Sequence, residues 1–369
     1  MLEEAARLKA TGQEKRRYTY LIKRRDILAQ MEVEPLDPRY LDNEILIATS
    51  NIKGARFVEA QKQLERLIAM ISESDQPLLA SKAYHGLGIC LGYQCELEKS
   101  QTLLKKALDL AARGGDQSRE AKVRYSLAWK YTESNDRDRA EEQLIEAREI
   151  FCESGMLYDE LWCTISLAWV YFYRQDYDLA HKMFTDVHER ISLHGFRAQQ
   201  SNITIGLGEI ARYRGDFHTA RQHYEEARKL NVELDRPRGE LTALMNLTLL
   251  DLETGNYSTA AVSLDQVEAL LKNSSTNRYT SLVIASRLVL ACAQQDWSEF
   301  DRLLESLEEE WMVNDDVPRL LKQAASLAEK AGQTLRARRL QSLQMKAYLV
   351  LDDHENYRQL QVQLDGDSQ

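Results

Sequence analysis

Small residues recur every forty positions along this chain: Ala48, Gly88, Ala128, Ala168, Gly208 and Thr248, with Leu288 closing the series. Twelve residues after each comes a second set, Ala60, Ser100, Ala140, Ala180, Ala220, Ala260 and Phe300. Four further on stand Leu64, Leu104, Leu144, Phe184, Tyr224, Leu264 and Leu304, and three beyond those Leu67, Ala107, Ala147, Val187, Ala227, Val267 and Leu307. Registers that agree at four positions without an insertion describe a stacked array of one supersecondary unit, and no ordinary single-core domain needs them.

Each repeat reads as two amphipathic helices. In the fifth, "QSNITIGLGEIARYR" is the first helix, "GD" the turn and "FHTARQHYEEARKLNVEL" the second. The dipeptides "GD", "GN" and "QD" close one helix and open the next, because glycine takes positive φ readily and Asp or Asn caps. An aromatic follows the turn in most repeats (Phe57, Tyr177, Phe217, Tyr257, Trp297) and is expected to plug the gap between the helices of a hairpin. Pro38, Pro77 and Pro237 fall two or three residues before a first helix is expected to start, and Pro318 opens an eighth hairpin at its first turn. None interrupts a helix, which is where proline is tolerated. No segment reads as a strand.

A small residue, then Tyr or Leu, then Gly-Asp-Tyr/Phe, then Ala, Leu/Phe and Ala resembles the tetratricopeptide repeat in its forty-residue form. Repeat six, "LDRPRGELTALMNLTLLDLETGNYSTAAVSLDQVEALL", is similar to the repeats fused to bacterial signalling proteins such as large nucleotide-switch regulators and kinases. The resemblance covers about 39–310. It implies an all-α fold, a right-handed superhelix (alpha-solenoid) of about eight hairpins resembling tetratricopeptide repeats. Residues 1–37 read as an N-terminal helical cap or linker, 38–314 as seven tandem repeats, and 315–369 as a degenerate eighth repeat with a polar capping helix near 355–364. Stacked arrays need such caps at their open ends.

Composition narrows the partners. The 369 residues carry 48 Lys and Arg against 58 Asp and Glu, a formal net charge of −10. A protein that lives on phosphate backbones carries the opposite sign, so no nucleic-acid partner is expected. The basic stretch "EKRRYTYLIKRR" and the acidic stretch 296–316 read as solvated helix faces. No apolar run approaches a membrane span, the N-terminus lacks a signal-peptide core, and the five cysteines (Cys90, Cys95, Cys152, Cys163, Cys292) form no CxxC pair. A cytoplasmic protein with free, mostly buried thiols and no membrane partner is the expectation.

At 100° per residue the first helix of a repeat has two faces. With the small residue counted as position eight, positions four, seven, eight and eleven pack inside the hairpin, as Leu127, Ala128 and Tyr131 do in "YSLAWKY". Positions two, five, nine, twelve and thirteen lie about 140° away, and the resemblance implies that they line a concave wall. That sector holds Tyr93, Tyr125, Trp129, Trp162, Trp169, Phe172, Tyr173 and Tyr213, bordered by Lys82, Lys122, Glu133, Glu209 and Arg212. Large aromatics on a face the hairpin does not need are candidate anchors for a partner. The predicted partner-binding set is therefore these eight aromatics with Glu209 and Arg212. Position nine never holds asparagine, so the carboxylate clamp of some tetratricopeptide domains is absent, and an apolar helix or extended peptide fits better.

Catalytic chemistry finds little support. GxxxxGK[ST], GxGxxG and GxSxG motifs are all missing. His181, His188 and His194 occupy outer helix positions without cysteine or paired carboxylates, so no metal or cofactor is expected. Cys90 and Cys95 read as packing residues. The chain is thus expected to be a noncatalytic protein–protein interaction scaffold or sensor that binds a peptide or helical segment in signalling, compatible with a homo-oligomer. The alternative is the regulatory, ligand-sensing part of a larger bacterial signalling enzyme or transcription regulator.

Overall fold

A computed structural model describes residues 4–5, 7–8, 14–54, 56–192, 194, 196–272, 279–309, 316–351 and 353–366. Among the described residues there are 18 helices and no strand. After α1 (Glu14–Gln30) they follow as hairpins: α2 (Pro38–Lys53) with α3 (Phe57–Met70), α4 (Pro77–Tyr93) with α5 (Leu97–Arg113), and α6 (Gln117–Glu133) with α7 (Arg137–Glu153). Next come α8 (Leu157–Tyr173) with α9 (Tyr177–Ser192), α10 (Arg197–Tyr213) with α11 (Phe217–Glu233), and α12 (Pro237–Glu253) with α13 (Tyr257–Lys272). The chain continues through α14 (Thr280–Gln294), α15 (Trp297–Glu309), α16 (Val317–Lys330), α17 (Thr334–Val350) and α18 (His354–Gly366).

Pro38, Pro77 and Pro237 are the first residues of α2, α4 and α12, so these helices begin at the proline instead of two or three residues later. A first-turn position costs proline nothing, since its missing N–H would have no intrahelical acceptor there. In six successive turns inside the hairpins one residue is left-handed, and the position matters more than the residue type. Cys95 (φ 65°), Asn135 (60°), Gln175 (64°), Gly215 (80°), Gly255 (76°) and Gln295 (58°) occupy it at forty-residue intervals. Around Gln175 the N–H of Asp176 reaches Tyr171 O (3.0 Å) and that of Gln175 reaches Phe172 O (2.9 Å), which closes the last carbonyls of α8. The Asp176 carboxylate then accepts from Leu179 N at 3.2 Å and opens α9. Asp136, Asp216 and Asp296 do the same between their helices.

By contact the chain forms two compact units, Met1–Glu240 and Leu241–Gln369. In the first, Leu41, Ile45, Ala48, Ala60 and Leu64 seed a core that runs into Ala80, Ala83 and Cys90; a second gathers Leu104, Leu127, Ala128, Leu144 and Phe151, and a third Leu161, Ile165, Ala168, Phe184 and Ile203. Position eight must be small because the second helix presses on it: a Cβ on Gly208 would lie 2.6 Å from Tyr224 Cε1, and one on Gly88 2.9 Å from Leu104 Cγ. In the second unit one continuous core links Leu244, Leu264, Leu288, Leu304, Leu321 and Leu340.

Candidate functional site

The aromatics of the first unit collect on the first helices of successive hairpins, as the 3.6-residue period requires. Two groups emerge. In the first, Tyr93 at the end of α4 stacks on Phe57, which opens α3, with ring centroids 5.6 Å apart, and meets Trp129 of α6 edge-on at 4.9 Å. Lys130 lies beneath them, fully buried, its Nζ 4.0 Å from the Trp129 ring and 2.5 Å from Glu133. The short Gly92 leaves the room that this ammonium occupies.

The second group centres on Phe172. Its ring lies 5.5 Å from Trp169, 5.5 Å from Tyr173, 5.5 Å from Tyr177 and 5.1 Å from Tyr213. Such edge and tilted contacts suit the ring quadrupole. Tyr213 also meets Tyr177 at 5.5 Å, which repeats between α9 and α10 the contact that Phe57 and Tyr93 make between α3 and α4. The post-turn aromatic therefore reaches the following hairpin, and is not confined to plugging its own. Trp169 is oriented by its Nε1, which donates to Asn202 Oδ1 at 2.9 Å, and Arg137 donates to Tyr173 O at 2.6 Å.

Trp129, Trp169, Tyr93, Tyr173 and Tyr213 each keep part of their surface open. Tyr125 and Trp162 are half-buried and belong to neither ring cluster. Ser166 Oγ lies 3.5 Å from the Tyr125 hydroxyl, and burial pushes that phenol well above its ordinary range. Three members of the predicted set lie deeper. Phe172 is 5% exposed, Glu209 7% and Arg212 3%. Glu209 accepts from Tyr224 Oη at 2.6 Å and from Arg212 at 3.0 Å, so this pair serves the interior of the fifth hairpin. Phe172, at position twelve, is covered by Tyr213 of the next hairpin.

A polar stretch borders the aromatics nearer the N-terminus. Lys82 donates to Asp42 at 2.6 Å, and His85 meets Ser126 Oγ at 2.7 Å. Arg119 contacts His85 and lies 3.4 Å from Ser81 Oγ; burial lowers its pKa to about 10. Periodicity alone did not single out Phe57, Tyr177, Lys130 or Asn202 as members of this surface; the first two were legible as post-turn aromatics, whereas Lys130 carries no signal that separates it from a solvated lysine. No group of His, Cys, Asp and Glu suited to a metal ion occurs among the described residues. Among them, too, no helix is long and apolar enough to cross a membrane.

Residues 79–153 match the family model of the tetratricopeptide repeat. No curated protein matches the chain by sequence. Solved structures resemble it in fold. A Rap protein complexed with Competence and Sporulation Factor superposes with TM-score 0.75 at 14% identity, over 95% of this chain and 98% of that one. NprR in complex with its cognate peptide NprX gives 0.64 at 15% identity, over 93% and 95%. Aspartyl phosphate phosphatase F from Bacillus subtilis gives 0.60 at 13% identity, over 92% and 93%. The forty-residue register, the paired helices and the matched segment agree: residues 79–153 carry tetratricopeptide repeats, and the chain as a whole shares the fold of these solved structures.

Proposed function

We propose that the chain is a noncatalytic, cytoplasmic sensor or scaffold that binds a peptide segment of a signalling partner along the inner helices of its first unit. The observation that carries this reading is the pair of aromatic clusters around Tyr93–Trp129 and Trp169–Tyr213, which keep part of their surface open along the first helices of successive hairpins. Aromatic side chains held rigid by neighbours lose little entropy on binding and dominate interface energetics. Peptide complexes of the structurally similar Rap and NprR proteins support the same reading. Glu209, Arg212 and Phe172 then act as the foundation of the surface, while Trp129, Trp169, Tyr93, Tyr125, Trp162, Tyr173 and Tyr213 touch the ligand.

The test is panning of a randomised heptapeptide library against wild type and the Trp129→Ala/Trp169→Ala double variant. Enrichment on wild type that disappears in a double variant of unchanged helical content supports the groove. Equal enrichment on both sinks it. The second reading, a regulatory ligand-sensing module, draws on the likeness to NprR and to a protein named as a phosphatase. It makes ligand binding alter a partner activity, which reconstitution with that partner would measure.

A further inference from the structure

One contact in the first unit joins residues remote in sequence. Arg238, in the first turn of α12, places its guanidinium carbon 4.1 Å from the Tyr93 ring centroid and 5.1 Å from that of Phe57. All three residues lie within Met1–Glu240. A guanidinium within about 6 Å of a ring centroid is drawn to the electron-rich face, and arginine suits the position because it is planar and weakly hydrated. A second contact marks the same approach of the chain: Lys15 of α1 pairs with Asp235, three residues before Arg238. Both of its side chains are exposed, so that pair adds little stability, but it is independent of the aromatic rings.

Tyr93 belongs to the surface assigned above to a partner, and the chain's own arginine lies on it. We propose that Arg238 is an intramolecular latch on the Phe57–Tyr93 face, so that a partner segment reaches this face only by displacing the guanidinium. The displacement half rests on the peptide-binding reading; the latch itself does not. An equilibrium between latched and open forms of the first unit follows, and any ligand that favours the open form shifts it.

The experiment uses the partner-free full chain, so a failure of peptide binding leaves its result untouched. Hydrogen exchange and hydroxyl-radical labelling of Tyr93 are compared in wild type, Arg238→Gln and Arg238→Lys. Cation–π attraction at a partly desolvated ring predicts exchange about tenfold faster in Arg238→Gln at 235–241 and in the last turn of α4, with faster Tyr93 labelling. Arg238→Lys, which keeps the cation, retains part of the protection. In a Tyr93→Leu background, which leaves only the Phe57 ring, the Arg238→Gln change adds markedly less than it does in wild type. Unchanged exchange and labelling in Arg238→Gln, equal loss in Gln and Lys variants, or additive effects with Tyr93→Leu each overturn the latch. If Arg238→Gln fails to fold, Arg238→Lys alone and combined with Tyr93→Leu carries the same comparison.

Discussion

The indole Nε1 of Trp169 donates to Asn202 Oδ1 across 2.9 Å, which ties the first helix of one hairpin to the first helix of the next. A half-buried indole N–H deprived of its acceptor loses a hydrogen bond of about 1 kcal/mol net. Asn202→Ala is therefore expected to lower the unfolding free energy by about that amount, with an unchanged dependence on urea. Asn202→Asp keeps an acceptor and should lie closer to wild type. Equal stability of Asn202→Ala and wild type would remove this bond from the determinants of Trp169 orientation.

Glu209 and Arg212 carry a larger penalty. Both are buried, and Glu209 also accepts from Tyr224. Removing one partner of a buried pair strands the other charge, at about 3–5 kcal/mol. Glu209→Ala or Arg212→Ala should each destabilise on that scale, whereas the Glu209→Ala/Arg212→Ala double variant should cost markedly less than the sum. A double-mutant cycle by chemical denaturation measures the difference, and strict additivity contradicts the pairing.

The thiols divide sharply. Cys95 and Cys152 are exposed, while Cys90, Cys163 and Cys292 are buried. Burial pushes the Cys90 thiol up to about 11 and Cys292 up to about 12, and raises Cys163 as well. The thiolate is the reactive form, so native protein treated with iodoacetamide near pH 8 should take up two labels by mass spectrometry, and five after denaturation. Rapid labelling of Cys90 in the native chain would show that α4 opens locally.

Acid should destabilise both units. The Arg39 side chain and backbone N–H hold Asp37 down at about 2, Thr219 lowers Asp216, and Arg336 lowers Asp301. A carboxylate depressed in the folded state stabilises above its unfolded value, near ~3.9 for aspartate, and that contribution is lost as pH falls through the folded value. The thermal midpoint is expected to hold from pH 7 to about 5 and then to fall steeply between roughly pH 4 and 2. Asp37→Asn should flatten the acid limb. A midpoint that rises on acidification reverses the sign and refutes the assignment.

Hairpin closure was legible because it depends on residues close in sequence. Gly208 must be small for Tyr224 sixteen positions later, and Pro237 must stand where a helix begins. The aromatic sector was legible for the same reason, since one helix's period places Trp169 and Tyr173 on a shared side. What periodicity could not separate was depth. Glu209 and Trp169 share position nine, yet one is buried by Tyr224 and the other stays part-open, because the neighbouring side chains and not the position decide the covering. Arg238 on Tyr93 lay beyond reach altogether, as the two belong to different repeats and share no register.

The aspartates at the hairpin turns hold two helices at once: Asp176 closes α8 through its backbone N–H and opens α9 through its carboxylate. A helix in such an array cannot unravel at that end without loosening the start of its neighbour. Opening at a turn therefore spreads in both directions along the chain, and the smallest piece that comes apart is the joint between two helices, not the tip of one.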